Sequence, residues 1–543
     1  MTPTTPATTG EPKLHDNASS FSLLLFLPVI VVFIAARLWH LTTSCLWFDE
    51  IFSIHAARHD WRHMFQFVAA DLIHPPLFYA LLKFWIAIGG ESPLWLRLLP
   101  VLFSVAAIAP FVMLCRALKL NRQQITVALL LLAVNGYLIK YAQEVRMYSL
   151  LFFLTCTSLW LVVRFAQPDS KVIPLWAALT LVNLLLVYSH YAGWIVVLVE
   201  LFFIMFWRRE RATKFRLTVM ALILAYLPWL YLMSIAKEPG RGLAQNIGWV
   251  TRPGLGDLIQ FFALLNTPFL FRQSSASSLN DIWSICVALL VIGVPLAFLV
   301  WQTFKKTQPD TQLIRLLLLF VLSPVVLVFV LSWVLPHSVW GTRHLIIIVA
   351  PYAILVAIAL TKLPIAWLRT VCLILVGCWV MLNGAVTLIK RPPTFTWCTW
   401  EPLSQEVVKA ETGKAEAVQI YAFEDLVAYH LWFALAHTKQ EEHPERFKVH
   451  VVKGVPGLRE DPAFFLPRRF YDIETQDGAT IKGESVWLAF RDTQLNPAKP
   501  PLSTITAQGF VVGRVFELTA QGQESFLVEL RRAGPNQIDL EGD

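Results

Sequence analysis

The sequence predicts a polytopic α-helical membrane protein of about eleven transmembrane helices, followed by a small C-terminal α/β domain. Three observations carry that expectation. Of 543 residues, 56% are hydrophobic and only 15% charged, with a mean hydropathy of +0.57; soluble domains carry roughly 25% charged residues. Apolar runs close to the ~20 residues that cross a hydrocarbon core recur up to residue 389. Beyond Lys390-Arg391-Pro392-Pro393 the chain turns to short runs of alternating polarity.

Residues 1–20, rich in Thr, Pro and Ala with Glu11, Lys13 and Asp16, read as a disordered cytoplasmic tail. The run at 21–39 lacks a small-residue cleavage site before Arg37-Leu38-Trp39, so an uncleaved span is expected rather than a signal peptide. Further runs lie near 95–117, 124–140, 148–166, 173–189, 192–207, 216–235, 282–303, 313–335, 344–362 and 368–389. As one helix, 173–207 would be about 52 Å long, too long for one crossing. A hairpin turning near Ser189-His190-Tyr191 is expected instead.

Charge sets the direction. The linkers 118–122, 164–172, 207–216, 303–315 and 362–369 hold 14 Lys and Arg in 45 residues, against 7 in the 101 residues of 40–94 and 236–281. The first set belongs in the cytoplasm by the positive-inside rule. That leaves an outer loop at 40–94 within a membrane domain at 21–391, and an extracytoplasmic domain at 392–543. The net charge of +8 is explained by these linkers, with no nucleic-acid partner implied. Cys115, Cys156, Cys286, Cys372 and Cys378 fall in apolar runs and read as small core residues. Cys45 and Cys398 fall in outer segments, where a disulfide between them is an open option.

In the C-terminal domain, strands are expected at 417–423, 447–452, 485–491, 510–518 and 525–530, with a helix from Asp425 to His437. It has no glycine-rich phosphate loop, metal cluster or nucleophile elbow. Acceptor binding and a structural role both remain open for it.

Sorted by side, the polar residues at the outer span ends are Asp49, Glu50, His74, Glu144, Arg146, Tyr148, His190, Tyr191, Arg343 and His344. Carboxylates, imidazoles and isolated arginines near headgroup level suggest one polar cavity. Each has a plainer reading. Asp49 could cap the run Ile51 to Ala57, and His74, before two prolines, could be a turn residue. Glu144 and Arg146 could be an interfacial ion pair, Arg343 a snorkelling arginine, and His190 an ordinary hydrogen-bonded histidine. Asp49 and Glu50 are adjacent, so on a helix they point about 100° apart and only one can face a reaction centre.

At these residues the chain resembles the GT-C superfamily of integral-membrane glycosyltransferases, in particular bacterial relatives of the protein O-mannosyltransferases and of the lipid A aminoarabinose transferase. The resemblance rests on Trp47-Phe48-Asp49-Glu50, His74-Pro75-Pro76-Leu77-Phe78-Tyr79, Leu96-Arg97-Leu98-Leu99-Pro100, Glu144-Val145-Arg146-Met147-Tyr148, and Arg343-His344-Leu345 with Pro351. These occur in the family's order over roughly residues 20–360. The family often has tyrosine at the His344 position, and some members carry lysine near His74. The resemblance implies a polyprenyl-monophosphate sugar donor bound with its headgroup outside, in a bacterial inner membrane. It also implies inverting transfer to a glycan, lipid or protein acceptor, with Asp49 as catalytic base.

The residue chemistry points the same way. An acceptor hydroxyl is a poor nucleophile at neutral pH, and a carboxylate within hydrogen-bond reach takes its proton as it attacks. Arg343 and Arg146 offer planar, permanently charged forks for the departing phosphate. Lipid phosphate is already a leaving group, so the second acid of a glycosidase is not required. A divalent cation through Glu50 and His74 is conceivable, but the ligand set is incomplete. Two rival functions stay open: a transporter or flippase of a lipid-linked or anionic substrate, and an oligosaccharide polymerase or ligase using a longer donor. Against the transporter, the hydropathy order shows no internal repeat.

Overall fold

The computed structural model describes residues 26–168, 171–236, 247–248, 250–269, 282–305, 309–389, 395–414, 416–438, 443–456, 458, 473–477, 481–520 and 523–533. The tail at 1–20, half of the segment 236–281 and the junction at 390–394 lie outside them.

The membrane half opens with α1 (Leu27–Leu38) and four helices of the first outer segment and second span, α2 (Phe48–Arg58), α3 (Trp61–Asp71), α4 (Leu77–Gly89) and α5 (Pro93–Ala106). It continues through α6 (Ile108–Ala117), α7 (Arg122–Val134), α8 (Gly136–Ala142), α9 (Tyr148–Phe165), α10 (Val172–Ser189), α11 (Ala192–Trp207) and α12 (Ala212–Ala236). Then follow α13 (Leu255–Asn266), α14 (Ile282–Ala288), α15 (Val294–Lys305), α16 (Pro309–Val334), α17 (Val349–Thr361) and α18 (Ala366–Ile389).

Among the described residues, eight helical segments are long and apolar enough to cross a membrane: Pro93–Ala117, Tyr148–Phe165, Val172–Ser189, Arg209–Ala236, Ile285–Lys305, Thr311–Val334, Thr342–Thr361 and Ala366–Ile389. The other three expected runs are occupied by the shorter apolar helices α1, α7 and α11. The expected hairpin is present: α10 ends at Ser189, His190 is extended, and α11 starts at Ala192. Thr342–Thr361 is the most enclosed span, so Arg343 stands at the start of a helical segment with few outward-facing residues. Cys286 and Cys378 depart from the expected core placement, being exposed beside outward-facing residues such as Leu289 and Met381, whereas Cys115, Cys156 and Cys372 are buried.

The run at 124–140 is not one continuous helix. It breaks at Asn135, which is extended and caps α8 by accepting from the Leu138 amide at 2.9 Å. A helix end leaves carbonyls without partners, and in an apolar bundle water does not serve them. Arg37, wholly buried, answers the last turn of α7 by donating to the carbonyls of Leu132 and Ala133 at 3.1 and 3.0 Å, and also to Ser104 Oγ at 2.8 Å. The Val134 carbonyl accepts from Phe269 and the Thr267 carbonyl from Gly136. This break lets the chain leave the span early and carry residues 143–147 across the end of the bundle that holds Asp49 and Arg343.

The C-terminal domain is a six-stranded mixed sheet in the order β3-β2-β1-β4-β6-β5. Its strands are β1 (Val418–Ala422), β2 (Phe447–Lys453), β3 (Glu474–Asp477), β4 (Ser485–Asp492), β5 (Phe510–Ala520) and β6 (Gln523–Arg532). β3, β2, β1 and β4 are parallel, and β6 and β5 run antiparallel at one side. The helices α19 (Trp400–Ala410), α20 (Asp425–Ala436) and α21 (Leu502–Thr506) accompany the sheet. β1, with the pattern buried at four of five positions, reads as a central strand covered on both faces. All five expected strands and the expected helix are present; β3, α19 and α21 were not anticipated. A disulfide joins Cys45 to Cys398 with Cα atoms 5.4 Å apart, tying this domain to the first outer loop.

Candidate functional site

The first turn of α2 carries Asp49 and Glu50, a favourable place for carboxylates at the positive end of the helix dipole. Asp49 does not cap the helix. The N-cap is Trp47, and Glu50 reaches back to accept from its amide at 2.8 Å. Both Glu50 oxygens also accept from Arg97, each at 3.0 Å, in a bidentate pair, and Oε1 accepts from the Val145 amide at 3.0 Å. Arg97 completes its fork on the carbonyls of Leu41, Ser44 and Cys45, each at 2.8 Å. Glu50 is 1% exposed and Arg97 2%. A buried ion pair with every donor and acceptor used is a structural knot. It fixes loop 41–47, α2, α5 and segment 143–147 together, and this is where the structure places Glu50 and Arg97, two of the expected substrate-contact residues.

The same occupancy removes the conceived cation pair, since both Glu50 oxygens are committed to Arg97. Among the described residues, no group of three or more His, Cys, Asp or Glu is arranged to hold a metal ion.

Asp49 stands on a different flank of α2 from Glu50 and retains access, with its side chain 25% exposed. Its Oδ2 lies 3.2 Å from Arg343 Nη1 and 3.9 Å from Arg146 Nη2. Arg343 is the second residue of a short 3-10 segment, Thr342–Ile348, that leads into α17. Its backbone is held by Tyr137, whose hydroxyl donates to the Thr342 carbonyl at 2.6 Å. A Cβ at Gly341 would come within 2.8 Å of the His344 ring, so the close turn before Arg343 needs glycine. Arg343 and Asp49 are therefore brought together from positions 294 residues apart.

Arg146 is almost wholly buried. Its Nη1 donates to the Asp49 carbonyl and to Ser53 Oγ, both at 3.2 Å, and to Tyr79 Oη at 3.4 Å. Its Nη2 lies 3.3 Å from His74 Nε2. Arginine only donates, so the His74 nitrogen facing it accepts. Nδ1, 3.4 Å from Asp71 Oδ2, then carries the proton. His74 is thus more than a turn residue.

The rings of His74, His190 and His344 follow one another at 5.7 and 4.9 Å, with Tyr148 6.0 Å from His190. His190 Nδ1 accepts from the Ala192 amide at 3.0 Å, so in the neutral ring Nε2 bears the hydrogen. Among the described residues, His190 Nε2, Tyr148 Oη and Arg146 Nε are buried with no hydrogen-bond partner. Buried donors of this kind are satisfied by something outside the fold, and all three border the Asp49–Arg146–Arg343 group.

Glu144 and Tyr191 fall differently. Glu144 sits 3.8 Å from Lys140, not on Arg146, so the interfacial ion pair considered for it is absent. Tyr191 donates to the Leu72 carbonyl at 3.2 Å and lies 3.1 Å from Met233 Sδ, bracing the loop behind His74. Asp71 and Ser53 were missed in the sequence, and Tyr79 was quoted only within the His74–Tyr79 motif. Ser53 lies one helical turn beyond Asp49, a spacing that marks helical neighbours, whereas Asp71 ends its helix and His74 lies in the loop beyond it.

The fold, a helical membrane bundle joined to a sheet domain, is similar to that of solved membrane proteins. ArnT from Cupriavidus metallidurans matches with a TM-score of 0.55 at 12% identity, over 93% of this chain and 97% of that one. The same protein bound to undecaprenyl phosphate matches at 0.54, with the same identity and coverage. The archaeal oligosaccharyltransferase AglB from Archaeoglobus fulgidus, in complex with an inhibitory peptide and a dolichol-phosphate, matches at 0.50 and 14% identity. That match covers 76% of this chain and 63% of AglB, so this chain spans less than two thirds of its length. Neither a family model nor a curated protein matches the sequence.

Proposed function

We propose that the chain transfers a sugar from a polyprenyl-monophosphate sugar to a hydroxyl acceptor on the outer face of a bacterial inner membrane, with inversion and with Asp49 as general base. The observation that carries this reading is one accessible carboxylate set against two arginines, Arg343 and Arg146, beside three buried unpartnered donors. Donors suit an acceptor-rich group, and a phosphate monoester or diester is that kind of group. The solved neighbours support the lipid class, since one is bound to undecaprenyl phosphate and another to a dolichol-phosphate.

In the step proposed, the acceptor oxygen attacks the anomeric carbon while Asp49 takes the hydroxyl proton. The bond from anomeric carbon to phosphate oxygen breaks, and its electron pair leaves with the lipid phosphate. Arg343 and Arg146 balance the charge that gathers on that oxygen. Before transfer Arg343 pairs with Asp49; a phosphate drawing that guanidinium toward itself frees Oδ2 for the acceptor proton.

The outer orientation is supported by the basic linkers on the opposite side and by the Cys45–Cys398 disulfide, which suits an oxidising compartment. The test is transfer itself. Membranes holding the protein, given labelled undecaprenyl-phosphate sugars extracted from the same envelope, should release undecaprenyl phosphate and place the label on a second molecule. An intact donor that changes leaflet would instead establish a flippase.

A further inference from the structure

Helix α20 of the outer domain lies along α2, the helix that bears Asp49, and its contacts fall on one side. The Phe48 ring stacks on Tyr429 with centroids 5.3 Å apart and planes 16° from parallel. Seven residues on, His55 meets Trp432 edge-on at 5.3 Å. At the last turn the Arg58 guanidinium stands 5.1 Å over Trp432 and donates to Glu91, whose carboxylate also meets His437 at 2.9 Å. Helical residues three or seven apart return to the same side, so Phe48 and His55 form one row and Tyr429 and Trp432 the row that faces it. Just ahead of α2, Trp47 packs on Trp397 at 4.3 Å, beside the disulfide.

Three consecutive residues therefore touch three different bodies. Phe48 touches the outer domain, Asp49 the two arginines, and Glu50 the Arg97 of α5. Successive helical side chains stand about 100° apart. Rotation of α2 about its axis is thus resisted on both flanks of Asp49, by Glu50–Arg97 on one and by Phe48–Tyr429 on the other.

We infer that Tyr429 is a positioning residue for transfer, and that the outer domain acts in the reaction by fixing the rotation of α2 so that the Asp49 carboxylate meets the acceptor hydroxyl. The inference rests on the reading of Asp49 as base and goes beyond it, giving the outer domain a part in the chemical step separate from donor binding. Misplacing a reacting group by about 1 Å costs on the order of 100-fold in rate, so a partial loosening should register well short of unfolding.

The experiment compares Tyr429→Ala, Tyr429→Phe and Asp49→Asn in the full chain, reconstituted in nanodiscs. It reads release of undecaprenyl phosphate from labelled lipid-linked sugars, affinity for undecaprenyl phosphate, and amide hydrogen exchange over residues 48–52. Tyr429→Ala should lower turnover at least about 10-fold, keep lipid affinity within about twofold, and speed exchange at 48–52. Tyr429→Phe, which keeps the ring, should restore all three. Unchanged turnover in Tyr429→Ala would overturn the inference, as would turnover and lipid affinity falling together without rescue by phenylalanine. If the alanine variant does not accumulate, Tyr429→Leu carries the same comparison. Turnover by Asp49→Asn would sink the base reading itself, and that result is distinguishable because it does not depend on Tyr429.

Discussion

Asp49 Oδ2 and Arg343 Nη1 stand 3.2 Å apart, joining the first turn of α2 to the start of the most enclosed span. The pair has a specific meaning for charge. The side chains are 25% and 34% exposed, so both remain reachable from solvent, whereas Arg146 behind them is only 3% exposed. On the proposed function, Arg343 is the cation that exchanges Asp49 for the phosphate, and Arg146 the fixed one.

Replacing Asp49 by Asn should cut sugar transfer by roughly 10²- to 10⁴-fold, the usual worth of a positioned base. Membrane insertion and undecaprenyl phosphate binding should persist. Release of labelled lipid phosphate measures the first, and a binding titration the second.

Arg343→Ala should weaken undecaprenyl phosphate binding by about 10- to 100-fold, in line with roughly 1.5–3 kcal/mol for a hydrogen bond to a charged group. Arg343→Lys should recover only part of this, because a point charge replaces a planar fork. Equal affinity in all three proteins would take Arg343 out of the phosphate site.

Arg97→Ala strands the Glu50 carboxylate among buried groups. Breaking one partner of a buried pair costs about 3–5 kcal/mol, so the thermal unfolding midpoint in detergent should fall well below the parent's. Glu50→Gln keeps an acceptor for Trp47 and should cost less. A direct substrate role would give the reverse result, with stability kept and transfer lost.

Acid should loosen the outer domain from α2. Burial, with the nearby Arg491 charge adding to it, holds the His430 imidazole down at about 3. An unfolded histidine titrates near 6.5, so between about 6.5 and 3 the unfolded state binds the extra proton. Stability is complete above that window and declines as pH falls through it. Glu91 works in the same sense at lower pH. Burial alone would raise its carboxyl, but hydrogen bonds from His437 and Arg58 outweigh this and hold it at about 2. Thermal unfolding followed from pH 7 to 5 should show the decline, and His430→Phe should flatten it.

How far the sequence could be read depended on whether a residue's role is local. Asp49, Arg343, Arg146 and His74 were legible because a charge at the end of an apolar run has few plain explanations, and they do converge. Glu50 and Arg97 looked like equal candidates. Only their placement reveals that each saturates the other, a fact about two segments 47 residues apart that no local pattern encodes. The break at Asn135 was hidden for a related reason. Its carbonyls are served by Arg37, about 100 residues earlier, and by the segment at 267–269, so the hydropathy of 124–140 still looks like one crossing. The short strand β3, four residues with polar side chains, lacks the apolar alternation that marked the other five strands.

The bond between Cys45 and Cys398 spans 353 positions. A ribosome delivers the earlier thiol long before the later one exists, so Cys45 must wait, reduced, while every intervening helix is threaded into the bilayer. Closure of this bond is thereby a late event, and a chain truncated anywhere before residue 398 leaves the anchorage ahead of α2 unmade.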